Sequence, residues 1–297
     1  MSYFIGLHNH TDASLRDAIS RPHDMAKRLN AIDQNAIAIT EHGNMCSIAV
    51  FDKELSKAGI KLIAGNEMYV ASLGADDTST RDTAHITLIS MSMKGYKNLC
   101  KLHTLSWQRP AYYFNARTDL DLIADYSEDL ICLSGCLGGI LLKPLLKGDA
   151  ATAESRLKAL KQIFGKRFYL ELQDHQLPED DQAMDWLFKM AAKHKIPLVA
   201  TNDAHYVNKD DWTAHDMVIA CGMGQRVGDP NRQISYKPME FYLKSYDEMA
   251  ERFDPPELKM SKTISDQCEP LKLASSTFHI PTYKPRPSNL IASLYGK

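Results

Sequence analysis

At 297 residues the chain is long enough for one large α/β domain or two small ones, with a sizeable core. A formal net charge of -2 excludes the dominant basic surface of a protein that coats DNA, but it leaves nucleic acid open as a substrate, because bound metal ions can supply local positive charge. No apolar stretch approaches the ~20 residues of a membrane span, the six cysteines (46, 100, 132, 136, 221 and 268) show no C-x-x-C pairing, and the N-terminus is strand-like rather than a signal peptide; the chain reads as cytoplasmic, with free thiols.

From residue 1 to about 207, strand and helix patterns alternate. Strands are predicted at 3–8, 35–40, 61–64 with 67–71, 85–91, 130–134, 167–173 and 197–201, each short and mostly apolar, as parallel strands buried on both faces should be. Helices are predicted between them at 21–33, 45–58, 94–106, 150–164 and 179–195. Gly59 and Gly165 stand where left-handed helix ends are expected, and Pro22 and Pro178 near helix starts. Repeated β-α units of this kind predict a wound sheet or a closed barrel, and seven strands favour a barrel with a distorted ring, spanning residues 1–220. Residues 221–297 are richer in turns, with helices expected at 245–253 and 256–275 and a Pro-rich, basic tail, FHIPTYKPRPSN. That segment reads as a wrap on the barrel or a linker.

The predicted strands share one feature: each has a potential metal ligand at one end. YFIGLHNH ends in His8 and His10, AIAITEH in His42 and KLIAGNE in Glu67; His85 opens HITLISM; DLICLSGC ends in Cys136, FYLELQDH in Asp174 and His175, and PLVATNDAH in Asp203 and His205. Barrel sites are built at the C-terminal ends of strands. In extended chain, residues i and i+2 face the same way, so His8 and His10 can reach one ion, as can Asp203 and His205. These two pairs lie at opposite ends of the barrel sequence and become neighbours when it closes. Glu67 interrupts a buried run, where a charge costs several kcal/mol unless it is paired or coordinated. Asp17, in the loop SLRDA, is either a solvated surface acid or a carboxylate bridging two ions. Cys136, before a Gly-Gly pair, is either a small buried hydrophobe or a thiolate ligand favouring zinc. Glu41 is placed to orient an imidazole beside it. His23, His103, His194, His215 and His279 lack supporting acids and read as ordinary histidines. With about four to six ligands per ion, nine candidates imply two or three divalent ions. Such a cluster suits hydrolysis of phosphate esters.

LHNHTDASLRDA, ITEHGNM, AGNEMYV, HITLISMSMKGYKNLCKL, LSGCLGG, YLELQDH and VATNDAHY together resemble the PHP (polymerase and histidinol phosphatase) domain, in the version found at the N-terminus of bacterial DNA polymerase III alpha subunits. The resemblance continues through AHDMVIACGMG, DPNRQISY and FYLKSYDEMAERF. It implies a distorted, TIM-like (βα)7 barrel with a C-terminal extension and a trinuclear site of His8, His10, Asp17, His42, Glu67, His85, Cys136, Asp203 and His205. Zinc or manganese would occupy it, with iron or magnesium as alternatives. The resemblance further implies a 3′–5′ exonuclease on DNA ends, with His10, Asp17, His42 and Asp203 catalytic and Asn202 and His175 on the substrate side. The family usually has Asp at position 41, so Glu41 is a departure. The chain stops where the family continues into the polymerase palm, which implies no DNA synthesis by this chain alone, and either a stand-alone (for instance viral) protein or one piece of a split polymerase. Other replication subunits are then expected partners, and no membrane. Two alternatives remain: a small-molecule phosphatase of the histidinol-phosphatase type, and a non-catalytic scaffold within a polymerase assembly.

Overall fold

A computed structural model describes residues 3–229, 231, 232, 239–271, 273 and 280. Strands β1 (Ala36–Ile39), β2 (Lys61–Ala71), β3 (Thr83–Ser90), β4 (Arg117–Thr118), β5 (Leu130–Leu133), β6 (Phe168–Leu172) and β7 (Leu198–Ala200) form one seven-stranded sheet. Its order is β1-β2-β3-β5-β6-β7, with β4 paired to β2. The sheet curls into a distorted barrel. Residues predicted as the first strand, 3–8, form no continuous ladder; they contribute single parallel bridges, Gly6 to Ile37 of β1 and Asn9 to Ala204 just beyond β7. These bridges join the two edges of the sheet, and His10 N donates to Ala204 O at 2.8 Å across the seam.

The expectation of all-parallel strands is corrected at β3, which runs antiparallel to both β2 and β5. The reason lies in the connection: residues 72–82 between β2 and β3 contain no helix, so the chain returns directly, as an antiparallel pair allows. The short strand β4, not predicted, pairs in parallel with the end of β2.

The helices follow local signals. Helix α1 (Pro22–Ala31) begins on its proline; α2 (Ile48–Lys57) starts three residues later than predicted and is followed by Gly59 at φ 71°. Helix α3 (Met93–Ser106) is capped by Ser92, whose side chain accepts from Lys94 and Gly95 N–H. The short helices α4 (Leu120–Asp125) and α5 (Leu142–Leu146) were not predicted. Helix α6 (Ala150–Phe164) is capped by Asp149 and stopped by Gly165 at φ 57°. Helix α7 (Asp180–His194) carries acids in its first turn, and α8 (Trp212–Gly222) follows the last strand. Beyond them lie α9 (Tyr246–Ala250) and α10 (Pro255–Gln267). The helix predicted at 256–275 ends at Gln267 because Pro270 lies three residues on. The tail FHIPTYKPRPSN, apart from Ile280, lies outside the described residues.

Inward-facing residues of the ring, Ile5, Leu7, Ala38, Ile63, Ile89, Ile131, Leu133 and Val199, pack with Ile264 and Cys268 of the α10 segment. Helix α10 therefore closes the end of the barrel where the strands begin. Lys61, the first residue of β2, donates to Ser265 O (2.6 Å) and Cys268 O (3.1 Å). Among the described residues no helix is long and apolar enough to cross a membrane.

Candidate metal centre

The open end of the barrel gathers the predicted ligands. The bridged geometry of residues 6–9 turns His8 and His10 to the same face. His42 lies past the end of β1 and bridges Glu67, which stays inside the long strand β2. His85 sits near the start of β3; because β3 is antiparallel, its start lies at the same rim as the ends of the parallel strands. Asp203 takes a left-handed φ of 49° after β7, a conformation Asp tolerates better than most residues. Asp17 is brought in by its loop: Ile19 N donates to His205 O (2.9 Å), and the buried His215 donates from Nε2 to Asp17 O (2.7 Å).

All nine side chains converge. Asp203 Oδ1 lies 3.4 Å from His8 Nε2 and 3.1 Å from His10 Nε2. Asp17 Oδ2 lies 2.9 Å from His42 Nε2 and 3.1 Å from His205 Nε2. Glu67 is central, with Oε2 2.6 Å from His42 Nδ1 and Oε1 3.0 Å from His85 Nδ1. Cys136 Sγ lies 3.6 Å from Glu67 Oε1 and 3.7 Å from His85 Nδ1. Three overlapping triads have donor atoms within 4.8 Å of one another: His8, His10 and Asp203; His10, His42 and His205; and His42, Glu67 and His85.

The donor set fits divalent cations. Nε2 of His8, Nε2 of His10, Nδ1 of His42, Oε2 of Glu67 and Oδ1 of Asp203 are buried and, without a hydrogen bond of regular geometry, crowd against one another at 2.6 to 3.4 Å. Buried polar atoms are normally held in regular hydrogen bonds, so five of them packed around one place only by ion-pair contact mark a binding position. The electrostatics agree. Burial alone would lower the pKa of His8 and His42, yet both are raised well above the ordinary value, His8 by Asp203, Glu171 and Glu67 and His42 by Glu67 and Asp17. His205 is raised to about 9, burial being outweighed by Asp17 and Asp203. Burial and the charge on His42 push His10 down to about 4. Burial would raise Glu67 and Asp203, but the surrounding imidazoles hold both low. Burial, with Glu67 and Asp203, pushes the Cys136 thiol well up. The acids thus draw protons onto neighbouring rings where a cation would otherwise sit.

Residues 6–175 match the PHP domain. The chain belongs to the PHP domain family. It is 36% identical over 289 residues to DNA polymerase III subunit alpha of Borreliella burgdorferi, covering 95% of this chain and 25% of that protein. It is 37% identical over 255 residues to the subunit of the same name from Treponema pallidum, covering 84% of this chain and 22% of that protein. The chain therefore spans about a quarter of the length of these relatives. A solved two-domain protein from Bacteroides vulgatus, containing a predicted PHP-like metal-dependent phosphoesterase, is 16% identical with a TM-score of 0.45, over 69% of this chain and 52% of that one.

In this PHP domain the partners behind the donors were less legible than the donors. Glu171, buried in β6, accepts from His8 Nδ1 at 2.7 Å. That contact fixes the tautomer and leaves Nε2 facing the cluster. Glu171 also receives Gly135 N (2.9 Å) and Thr201 Oγ1 (2.6 Å), tying β6 to the loop after β5 and the end of β7. Sequence reasoning missed Glu171, although the signal was the one used for Glu67: a charge within a buried run. His205 Nδ1 donates to Asp203 O (2.7 Å), which again leaves Nε2 for the cluster. Glu41 does not hold its neighbour His42. Its carboxylate receives Thr11 N (3.1 Å), Ser47 Oγ (2.7 Å) and Ser14 Oγ (2.5 Å), and Ser14 Oγ stands 3.4 Å from His10 Nδ1. Glu41 thus fixes the 11–14 loop and reaches His10 through Ser14.

A cavity of about 540 Å³ opens onto the cluster, lined by Asp17, His42, His85, Cys136, Asp203 and His205 with Tyr69, Leu137, Gln173, His175 and Phe241 among others. His175 lies in this wall, its ring stacked 3.9 Å from Phe241 and its Nε2 donating to Asn202 O (2.7 Å). Asn202 is not in the wall: its amide donates to Glu240 O (2.8 Å) and Tyr242 O (2.7 Å), fastening that segment to the end of β7. Asp174 points away and pairs with Arg252, Oδ2 to Nε at 2.7 Å.

Proposed function

We propose that this PHP domain is a metal-dependent phosphodiester hydrolase, acting on DNA as a 3′–5′ exonuclease in the setting of replication or proofreading, with the subunits of a DNA polymerase assembly as its partners. The observation that carries the reading is the convergence of nine donors, five of their atoms buried and facing one another without regular hydrogen bonds, at the base of an open cavity. His8, His10, Asp17, His42, Glu67, His85, Cys136, Asp203 and His205 would hold two or three divalent ions, zinc or manganese first, iron or magnesium next. When bound, such ions act as Lewis acids toward a phosphate and lower the pKa of water. The chain's own residues set the rest. Glu67 and Asp17 each touch two rings at close range. Glu171, Ser14 and the Asp203 carbonyl hold the rings of His8, His10 and His205 in orientation. His10, Asp17, His42 and Asp203 form the reacting face, and His175 supplies the cavity wall against the substrate, with Asn202 fixing the segment behind it. Among the described residues the cavity lining contains no Lys or Arg, so bound cations would supply the lasting positive charge that meets a phosphate.

The purified chain, loaded with Mn²⁺ or Zn²⁺, is expected to shorten 5′-labelled single-stranded DNA stepwise from its 3′ end. Asp203→Ala and His10→Ala should abolish the shortening. Turnover of p-nitrophenyl phosphate without DNA shortening would instead make the chain a monoester phosphatase, and tight metal binding with neither activity would make it a scaffold.

A further inference from the structure

Beside the mouth of the cavity lies a group of large aromatic side chains that the fold leaves exposed. Trp107, at the end of α3, is 51% exposed, Tyr112 39% and Phe114 55%. The rings of Trp107 and Tyr112 stack at 5.2 Å and 20°. The guanidinium of Arg81 lies 3.4 Å above the ring of Phe114, and Tyr113 meets that ring edge-on at 4.8 Å. Phe114 itself has a φ of 64°, in the left-handed region that a bulky side chain rarely adopts. That backbone holds a half-exposed ring toward water, and such strain gathers where ligands are gripped.

The platform is preformed. Arg117 is completely buried and spends its guanidinium on backbone carbonyls, Ala111 (3.0 Å) on one loop and Ala75 (2.8 Å), Asp77 (2.8 Å) and Thr80 (3.3 Å) on the other. One buried cation thereby rivets the loop bearing Arg81 to the loop bearing the aromatics. The platform is also coupled to the metal centre. Trp107 Nε1 donates to Gly43 O at 2.9 Å, and Gly43 directly follows His42. Gly43 has a φ of 59°, and a Cβ there would meet the Tyr69 ring at 3.0 Å. Tyr69 faces His42 in near-parallel stacking at 6.1 Å and lines the cavity. Gly43, held by Trp107 and packed on Tyr69, therefore ties the platform to the residues around His42.

We propose that this platform binds the bases of single-stranded DNA and leads the strand into the metal-lined cavity. The inference rests on the hydrolase reading for its direction but not for its chemistry. Successive bases stack on aromatic rings without sequence preference, and Arg adds cation–π contact. Arg81 and the exposed Arg109 supply guanidinium charge, which the described cavity lining does not contain. A duplex keeps its bases stacked inside and offers nothing to such a platform.

Fluorescence anisotropy of 5′-fluorescein-labelled dT12 with 3′ phosphorothioate linkages, titrated with the purified full chain, tests this. Trp107→Ala and Phe114→Ala are each expected to weaken binding about 10-fold, while Trp107→Phe, which keeps a ring but loses the bond to Gly43, retains most of the affinity. The matching duplex should bind more weakly than the single strand. Unchanged affinity in variants with unaltered thermal melting overturns the proposal. So does a concentration-dependent dimer, seen by analytical ultracentrifugation, that the same substitutions dissociate, for then the face joins copies of the chain. Turnover of methyl p-nitrophenyl phosphate, which carries no base, reports on the metal centre separately. Its absence, with DNA binding lost in the variants, would sink the hydrolase reading and leave this one standing.

Discussion

The two ends of the barrel bury polar groups in opposite ways. At the closed end, Ser261 accepts Ile5 N (2.9 Å) and donates to Leu258 O (2.7 Å), and Lys61 is satisfied by two carbonyls of the α10 segment. Every one of these contacts is local bookkeeping for an apolar plug built around Ile264 and Cys268. At the open end, buried imidazoles and carboxylates crowd against one another, five of their atoms in ion-pair contact without a regular hydrogen bond. Satisfied burial stabilises a fold, whereas convergent unsatisfied burial costs stability and is retained for a ligand. The contrast assigns stability to one end and chemistry to the other, and substitutions can break that assignment.

The largest effect belongs to Glu67. Glu67→Gln keeps the shape but removes the charge that touches His42 and His85. Hydrolysis and metal content should fall by more than the about 10–100-fold typical of outer partners. Melting of the metal-free protein should fall as well, because the buried rings of His8 and His42 lose the carboxylate that compensates their charge. A large loss of stability with metal retained would erase the contrast. The counterpart is Ile264→Ala in the plug, where Ile264 is fully buried. It should cost about 3 kcal/mol in denaturant unfolding, with metal stoichiometry by atomic absorption unchanged. Glu171→Gln comes next: zinc or manganese affinity should drop about 10–100-fold, read by competition with a chelating dye. Glu171→Ala should cost stability as well, because the ties to Gly135 and Thr201 are lost.

The pH dependence follows from His205. Its metal-free pKa of about 9 means that the ring is protonated at neutral pH and must lose that proton to ligate. Metal affinity should therefore rise as pH rises toward 9, and binding at pH 7 should release protons. Calorimetry in two buffers of different ionisation enthalpy measures the release. In the metal-free protein the sign is opposite: a raised pKa adds stability that is full below the unfolded value near 6.5 and is lost as pH rises through 9.

What the sequence disclosed, and what it hid, divides along the same physical lines. His8 with His10 and Asp203 with His205 were legible because extended chain has a period of two and a barrel must close. Glu67 was legible because a charge inside a buried strand needs a reason. The same logic applied to Glu171 and went unused, for lack of a strand-end position to draw attention to it. His85 looked weak because it opens a strand, and only the antiparallel course of β3 turns that opening toward the rim. Asp17 depends on contacts with His205 and His215, nearly two hundred positions away, which no local pattern encodes. The aromatic loop was invisible for a different reason: residues 107–116 belong to no regular element, and their arrangement is set by Arg117 reaching carbonyls across two loops.

The smallest expected effect concerns Cys136, the softest donor at the rim. Its thiol is pushed up by burial and by Glu67 and Asp203, so in the metal-free protein it holds its proton. A cation beside it reverses that balance, because a coordinated thiol is deprotonated. Sulfur ligands select zinc over magnesium and manganese. Cys136→Ser keeps the size and the approach allowed by Gly138 and Gly139 while replacing sulfur with oxygen. Zinc affinity should therefore fall while manganese affinity stays within a few-fold, shifting the preference of the cluster rather than emptying it. Equal losses for both metals would place Cys136 among the structural contacts of the rim. No change for either would return it to the small buried hydrophobe that its surroundings alone would suggest.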